Sequence, residues 1–238
     1  MRRTTLTSQV RLVVMLLAVA AGESHAQRRG WEDREYGIGV VNYAAMQRYA
    51  ARDVILAAPS AAADTVALLA RDSLCFRQPP ACVRSYDRMI EFGYEIPGWA
   101  ILEFSADSTW AKVSLAPSQS PGPVGWVRLQ RDTAAPILWS HILPRHRLFF
   151  LRPRDIAFYE APNTNARVGR QLVKHSNSER FNYIMNPLTA RGRWLQVELF
   201  SPSTMCQSTD VKVPPDTLWI QYLTADGRPT VFYYTRGC

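Results

Sequence analysis

The chain has 238 residues, with 28 Lys and Arg against 20 Asp and Glu, a formal net charge of +8 and a sequence pI of about 9.6. No apolar run approaches the ~20 residues that a membrane-spanning helix requires, which excludes that architecture. The basic balance speaks to solubility and non-specific binding rather than to fold. Only Lys112, Lys174 and Lys212 are lysines, so arginine supplies nearly all the positive charge.

The first 26 residues read as a secretory leader. Arg2, Arg3 and Arg11 form a basic start, Leu12 to Ala21 is apolar, and Ser24-His25-Ala26 offers a small-x-small cleavage site before Gln27. The expected product is exported, to the periplasm or beyond, and carries no lipobox cysteine, since the first cysteine is Cys75. Processing leaves 212 residues and a net charge of +6, enough chain for one large core or two small ones. Residues 27–51 form an N-terminal extension, within which Val41–Ala51 is the one helix candidate.

From residue 52 the chain carries an internal repeat. Arg52-Asp53-Val54-Ile55-Leu56-Ala57-Ala58-Pro59 matches Arg154-Asp155-Ile156-Ala157-Phe158-Tyr159-Glu160-Ala161-Pro162, with one extra residue in the second copy. Val66 to Leu69 then matches the stretch beginning at Val168. Trp110-Ala111-Lys112-Val113 matches Trp194-Leu195-Gln196-Val197, and Gly125-Trp126-Val127-Arg128-Leu129 matches Leu218-Trp219-Ile220-Gln221-Tyr222. The blocks keep the same order in both halves. Each reads as a short strand of period two, rich in β-branched and aromatic residues and bounded by turn formers. Ser105-Ala106-Asp107-Ser108 reads as a turn before the Trp110 strand, and Asp226-Gly227 as a hairpin turn near the C-terminus.

The expected fold is therefore all-β, with a first unit over residues 52–135 and a second over 136–238. Residues 75–97 read as a long inserted loop in the first unit. Residues 130–153 are too apolar for a free linker, and extra strands that pack one unit on the other are expected there. Residues 116–123 and 201–215 read as matching surface loops.

The four cysteines, Cys75, Cys82, Cys206 and Cys238, are an even set in an exported chain and predict two disulfides. Three pairings are open; the grouping favours Cys75 with Cys82 and Cys206 with Cys238. Chain entropy assigns these about 2.5 and about 3.7 kcal/mol. Neither pair has metal-ligand spacing, so no metal site is expected.

The ordered blocks resemble the bacterial SH3 family, SH3b, in which a first strand ends in a proline-containing loop, a later strand reads Trp-x-x-Val and a Gly-Trp-Val/Ile element follows. Here these are Pro59, Trp110 to Val113 and Gly125-Trp126-Val127 in the first copy, and Pro162, Trp194 to Val197 and Trp219-Ile220 in the second. The likeness spans most of 52–129 and 154–234, with Leu218 standing where a glycine is expected. It implies two tandem SH3-like β-barrels forming a binding or spacing module for cell-wall peptides or partner proteins. Fold alone does not fix function.

No nucleophile elbow, phosphate loop, metal-ligand motif or dinucleotide fingerprint is present, so catalytic residues and cofactors are expected to be none. Glu91 with Glu95, and Glu32-Asp33-Arg34-Glu35, read as solvated charge; His141 and His146 read as surface or interface histidines. Trp126 and Trp219 read as core. Trp110 and Trp194 are either core or groove wall, and Tyr159 is placed to line a groove beside Trp194, where an extended peptide is the natural ligand. Arg145, Arg147, Arg152 and Arg154 form a candidate anion-binding patch, or else a charged strand edge. The expected partners are a peptide, peptidoglycan or an envelope protein, and not nucleic acid. A purely structural or oligomerising role and a cell-wall hydrolase are the competing readings.

Overall fold

The computed structural model describes residues 34–42, 53–70, 73–85, 88–117, 121–129, 135–152, 155–168, 184–201 and 211–235. The segment expected as a leader, most of the expected N-terminal extension, Arg154, Cys206 and Cys238 lie outside them. The described chain is all-β, built from antiparallel strands with one short helix.

The first sheet holds β1 (Gly39–Asn42), β2 (Asp53–Leu56), β3 (Thr65–Ala70), β4 (Ser73–Arg77), β5 (Pro80–Arg84), β6 (Ile90–Gly93), β7 (Ile96–Phe104), β8 (Trp110–Ser114), β9 (Val124–Arg128) and β10 (Pro136–Leu138). Their order is β10-β1-β7-β8-β9-β2-β3-β4-β5, with β6 paired to β7. Helix α1 (Trp139–Ile142) and a 3-10 turn (Leu143–Arg145) lead into the second sheet. That sheet holds β11 (Leu148–Phe150), β12 (Ile184–Arg191), β13 (Trp194–Ser201), β14 (Val211–Gln221) and β15 (Val231–Tyr233), in the order β14-β13-β12-β11-β15. Neither ladder closes into a barrel by continuous strand pairing among the described residues.

Several expectations are corrected by these pairings. The segment expected as an inserted loop contributes to strands β4, β5 and β6: β4 buries Leu74, β6 buries Ile90 and Phe92, and the largely exposed β5 is held by pairing with β4. Cys75 and Cys82 face each other across β4 and β5 and are bonded to each other. β10 starts where the second unit was expected to begin, yet it pairs with β1 in the first sheet. Val41 and Asn42 end β1 rather than opening a helix; residues 43–51 of that candidate lie outside the described set. Residues 211–215, expected in a loop, extend the start of β14.

β1 and β7 form a wall shared by two cores. Val41, Trp99 and Ile101 face one hydrophobic cluster, packed with Ile55, Leu69, Leu74, Val113 and Val127. Val40 and Ala100 face the other way, into a cluster completed by Trp139, Leu148, Leu195, Val197, Ile220, Phe232 and Tyr233 of the second half. A strand buried on both sides needs apolar residues at successive positions, not at alternate ones. That requirement accounts for the unbroken Trp99-Ala100-Ile101 run and for Val40-Val41.

The second core draws the N-terminal segment, the connector and the last strand together. Tyr36 meets Phe232 at 4.9 Å between ring centroids, and Trp139 meets Phe232 edge-on at 5.3 Å. The Trp139 indole N–H donates to the Tyr36 carbonyl at 2.9 Å. The Tyr233 hydroxyl donates to the Phe92 carbonyl of β6, and Arg228 pairs with Glu35 at 2.6 Å. Burial pushes the Tyr233 hydroxyl pKa far above its ordinary value, so it stays protonated and remains a donor.

Candidate functional site

The internal repeat reappears as a repeated pairing register. In the first sheet Trp110 lies opposite Arg128 and Lys112 opposite Trp126. In the second, Trp194 lies opposite Gln221 and Gln196 opposite Trp219. On the neighbouring strands, Leu56 pairs with Trp126 and with Thr65, and Tyr159 pairs with Trp219 and with Arg167. Leu56 and Tyr159 thus take the same place, as they do when the two copies are counted back from Pro59 and Pro162.

The following turns repeat as well. Ala57 N–H donates to Asp64 O at 2.8 Å, and Glu160 N–H donates to Ala166 O at 2.9 Å. Ser60 Oγ accepts from the Ala62 amide, while Asn163 Oδ1 accepts from the Asn165 and Ala166 amides. A short polar side chain holds each turn through its own backbone, as such residues do.

These registers set the face of each tryptophan. In β8, Ala111 and Val113 point inward and are fully buried, so Trp110 and Lys112 point outward. In β9, Val127 points inward and leaves Trp126 and Arg128 outside. In β14, Leu218 and Ile220 take the inward places, which puts Trp219 outside. Trp219, expected in the core, is buried, in the cluster it forms with Tyr159 and Trp194, whereas Trp126, also expected in the core, is only half-buried on an outer sheet face. The sequence carried the signal: small or β-branched residues at every second position, with Trp, Lys or Arg between them.

The two outer faces differ in openness. In the second unit Tyr159, Trp194 and Trp219 form a cluster of their own, at 9%, 7% and 7% exposure. Tyr159 meets Trp194 edge-on at 4.9 Å, and the Tyr159 and Trp219 backbones exchange two hydrogen bonds of 2.8 Å. The Arg191 guanidinium lies 5.4 Å from the Trp219 ring centroid, a cation–π distance. Tyr159 and Trp194 are brought together as expected, but packed against each other rather than spread along an open groove.

In the first unit Trp110 and Trp126 are half-buried and Arg128 is exposed. Lys112 stands 5.9 Å from the Trp126 centroid and 3.0 Å from Glu103 Oε1. The place of the aromatic Tyr159 is taken here by Leu56, so no ring packs edge-on as Tyr159 does on Trp194. The nearby turn is set by Asp107, whose carboxylate accepts from the Ser105 and Thr109 hydroxyls. These bonds, with the Thr109 amide, lower its pKa to about 2. Lys112, Trp126 and Arg128 belong to this face and were not among the expected site residues.

The arginine patch is divided among different contacts. Arg145 is exposed on the 3-10 turn. Arg147 donates to Asn186 Oδ1 at 3.2 Å, and its guanidinium lies 5.5 Å from the Phe200 centroid. Arg152 sits 4.0 Å from Asp155. His146 stacks on Tyr233 at 4.1 Å; burial first, and then the Arg145 charge, pull its pKa below the usual histidine value. Among the described residues no three His, Cys, Asp or Glu side chains gather as metal ligands, and no helix is long and apolar enough to cross a membrane.

Comparison with known proteins finds no match, whether with family models, curated proteins or solved structures.

Proposed function

We propose that the chain is a non-catalytic exported binding module built from two SH3b-like repeats, and that the first repeat carries the ligand face. The observation behind this reading is the outward pair of half-buried indoles, Trp110 and Trp126, flanked by Lys112, Arg128 and Glu103. The ligand is the peptide part of peptidoglycan, an extended chain that carries both carboxylates and amines. Indole faces take its apolar and planar portions, Arg128 and Lys112 bind carboxylates, and Glu103 accepts from an amine.

The SH3-like reading draws further support from the second sheet. Leu223 bridges to Pro229, and Thr230 N–H donates to Tyr222 O at 3.0 Å, which draws β15 toward the end of β14. Given the ladder β14-β13-β12-β11-β15, that contact is the one through which a barrel would close. In this repeat the aromatic set is sealed and its role is structural.

Sedimentation with purified sacculi tests the proposal. The wild-type chain is expected in the pellet, with Trp110→Ala/Trp126→Ala losing about ten-fold or more in affinity, at the ~1–3 kcal/mol of a stacked ring. Arg128→Ala, an exposed site that leaves the fold intact, is expected to weaken retention several-fold. Equal retention of all three proteins, or none of the wild type, would refute the assignment.

A further inference from the structure

Charge is distributed unevenly along the chain. Residues 135–238 hold 13 Lys and Arg against 7 Asp and Glu, whereas residues 53–129 hold 6 against 8. The second half is thus strongly basic and the first half slightly acidic. Part of that positive charge stands on the outer face of the second sheet. Arg191 and Arg193 are exposed at the β12–β13 hairpin, and Arg191 lies over Trp219. Toward the other end of β13, Arg147 lies over Phe200. Arg191 and Arg193 thus stand together at the tip of the hairpin.

The same hairpin exposes an aliphatic side chain. Leu188 stands between Pro187 and Thr189, where the β12–β13 register shifts, and it is 50% exposed. The residues that follow it to the tip, Thr189, Ala190, Arg191, Gly192 and Arg193, are all exposed. Glu198, the acidic residue within β13, is partly buried, and Glu160 is exposed beside Tyr159.

We infer that this hairpin docks on an anionic lipid surface, with Arg191 and Arg193 on headgroup phosphates and Leu188 entering the interfacial layer. A pair of cations beside an exposed aliphatic residue on one hairpin suits a membrane plane. A soluble acidic polymer would use the arginines and leave Leu188 in water. The site is separate from the Trp110–Trp126 face and does not depend on it.

Vesicle co-sedimentation tests the inference, using the chain from Gln27 onward so that the apolar leader does not itself partition. Binding is expected to vesicles of phosphatidylcholine with phosphatidylglycerol and not to phosphatidylcholine alone, and is expected to weaken with salt. Each arginine removed in Arg191→Ala/Arg193→Ala weakens binding about five-fold. Arg77→Ala/Arg84→Ala, exposed in the first sheet and equal in charge lost, leaves it unchanged. Leu188→Asp weakens vesicle binding but not retention on polyglutamate. Equal losses in the two arginine pairs, vesicle binding indifferent to Leu188→Asp, or retention on polyglutamate with no binding to the anionic vesicles would overturn the inference.

Discussion

Replacing Trp139 by alanine is expected to destabilise the protein by about 3–5 kcal/mol, the range for emptying a large aromatic site in a core. Trp139 is fully buried, and its partners come from distant parts of the chain: Tyr36 ahead of β1 and Phe232 in β15. Truncation leaves the Tyr36 carbonyl without its indole donor and opens a cavity where the two sheets meet. Total stabilities of single domains are about 5–15 kcal/mol, so the variant approaches the limit of folding. In urea, circular dichroism should show one transition at a lower midpoint. One transition is expected because Val40 and Ala100 on the shared wall belong to the same cluster as the second sheet. Two separated transitions in the wild type would mean that the halves fold independently.

Gly37→Ala is expected to cost about 2–4 kcal/mol, from a left-handed alanine and from overpacking together. Gly37 has φ of 57°, and a Cβ placed there falls 2.0 Å from the carbonyl oxygen of Ile101. That carbonyl belongs to β7 and accepts from the Ile38 amide at 2.7 Å, so relief of the clash pulls β1 from the wall. Gly192→Ala is the control. Its φ is 58°, but nothing lies within 4 Å of the added carbon. Only the backbone term remains, about 1–2 kcal/mol. Equal losses in the two variants would show that the β1 contact contributes nothing.

Much of the fold was legible because strands written with period two declare both their type and their buried face. The Trp110, Trp126, Trp194 and Trp219 blocks were found in order, and their pairings repeat register for register. The segment from Cys75 to Pro97 was misread as a loop because β4, β5 and β6 are only four or five residues long and are interrupted by Pro79-Pro80 and Gly93. Burial on both sides of β7 was hidden for a different reason. Ala100 faces away from Trp99 and Ile101 because a second sheet waits there, a fact no local pattern contains.

The candidate site was legible in its residue types and less so in their roles. Tryptophan is large and apolar, and assigning Trp126 and Trp219 to the core follows from that alone. Trp219 is indeed buried, in a separate cluster with Tyr159 and Trp194, while in β9 Val127 takes the inward place and leaves Trp126 half-buried. The arginine patch was read from proximity in sequence. Proximity in sequence did not predict that Arg147 would turn to Phe200 and Arg152 to Asp155.

The assignment of the ligand face is tested most directly by the indole N–H resonances in a titration with soluble peptidoglycan fragments. Trp99 and Trp139, fully buried, serve as internal references. The Trp110 and Trp126 signals are expected to shift and saturate together while those of Trp99 and Trp139 stay in place. Signals that all remain still, or shifts in which Trp99 and Trp139 move as far as Trp110 and Trp126, would contradict the account.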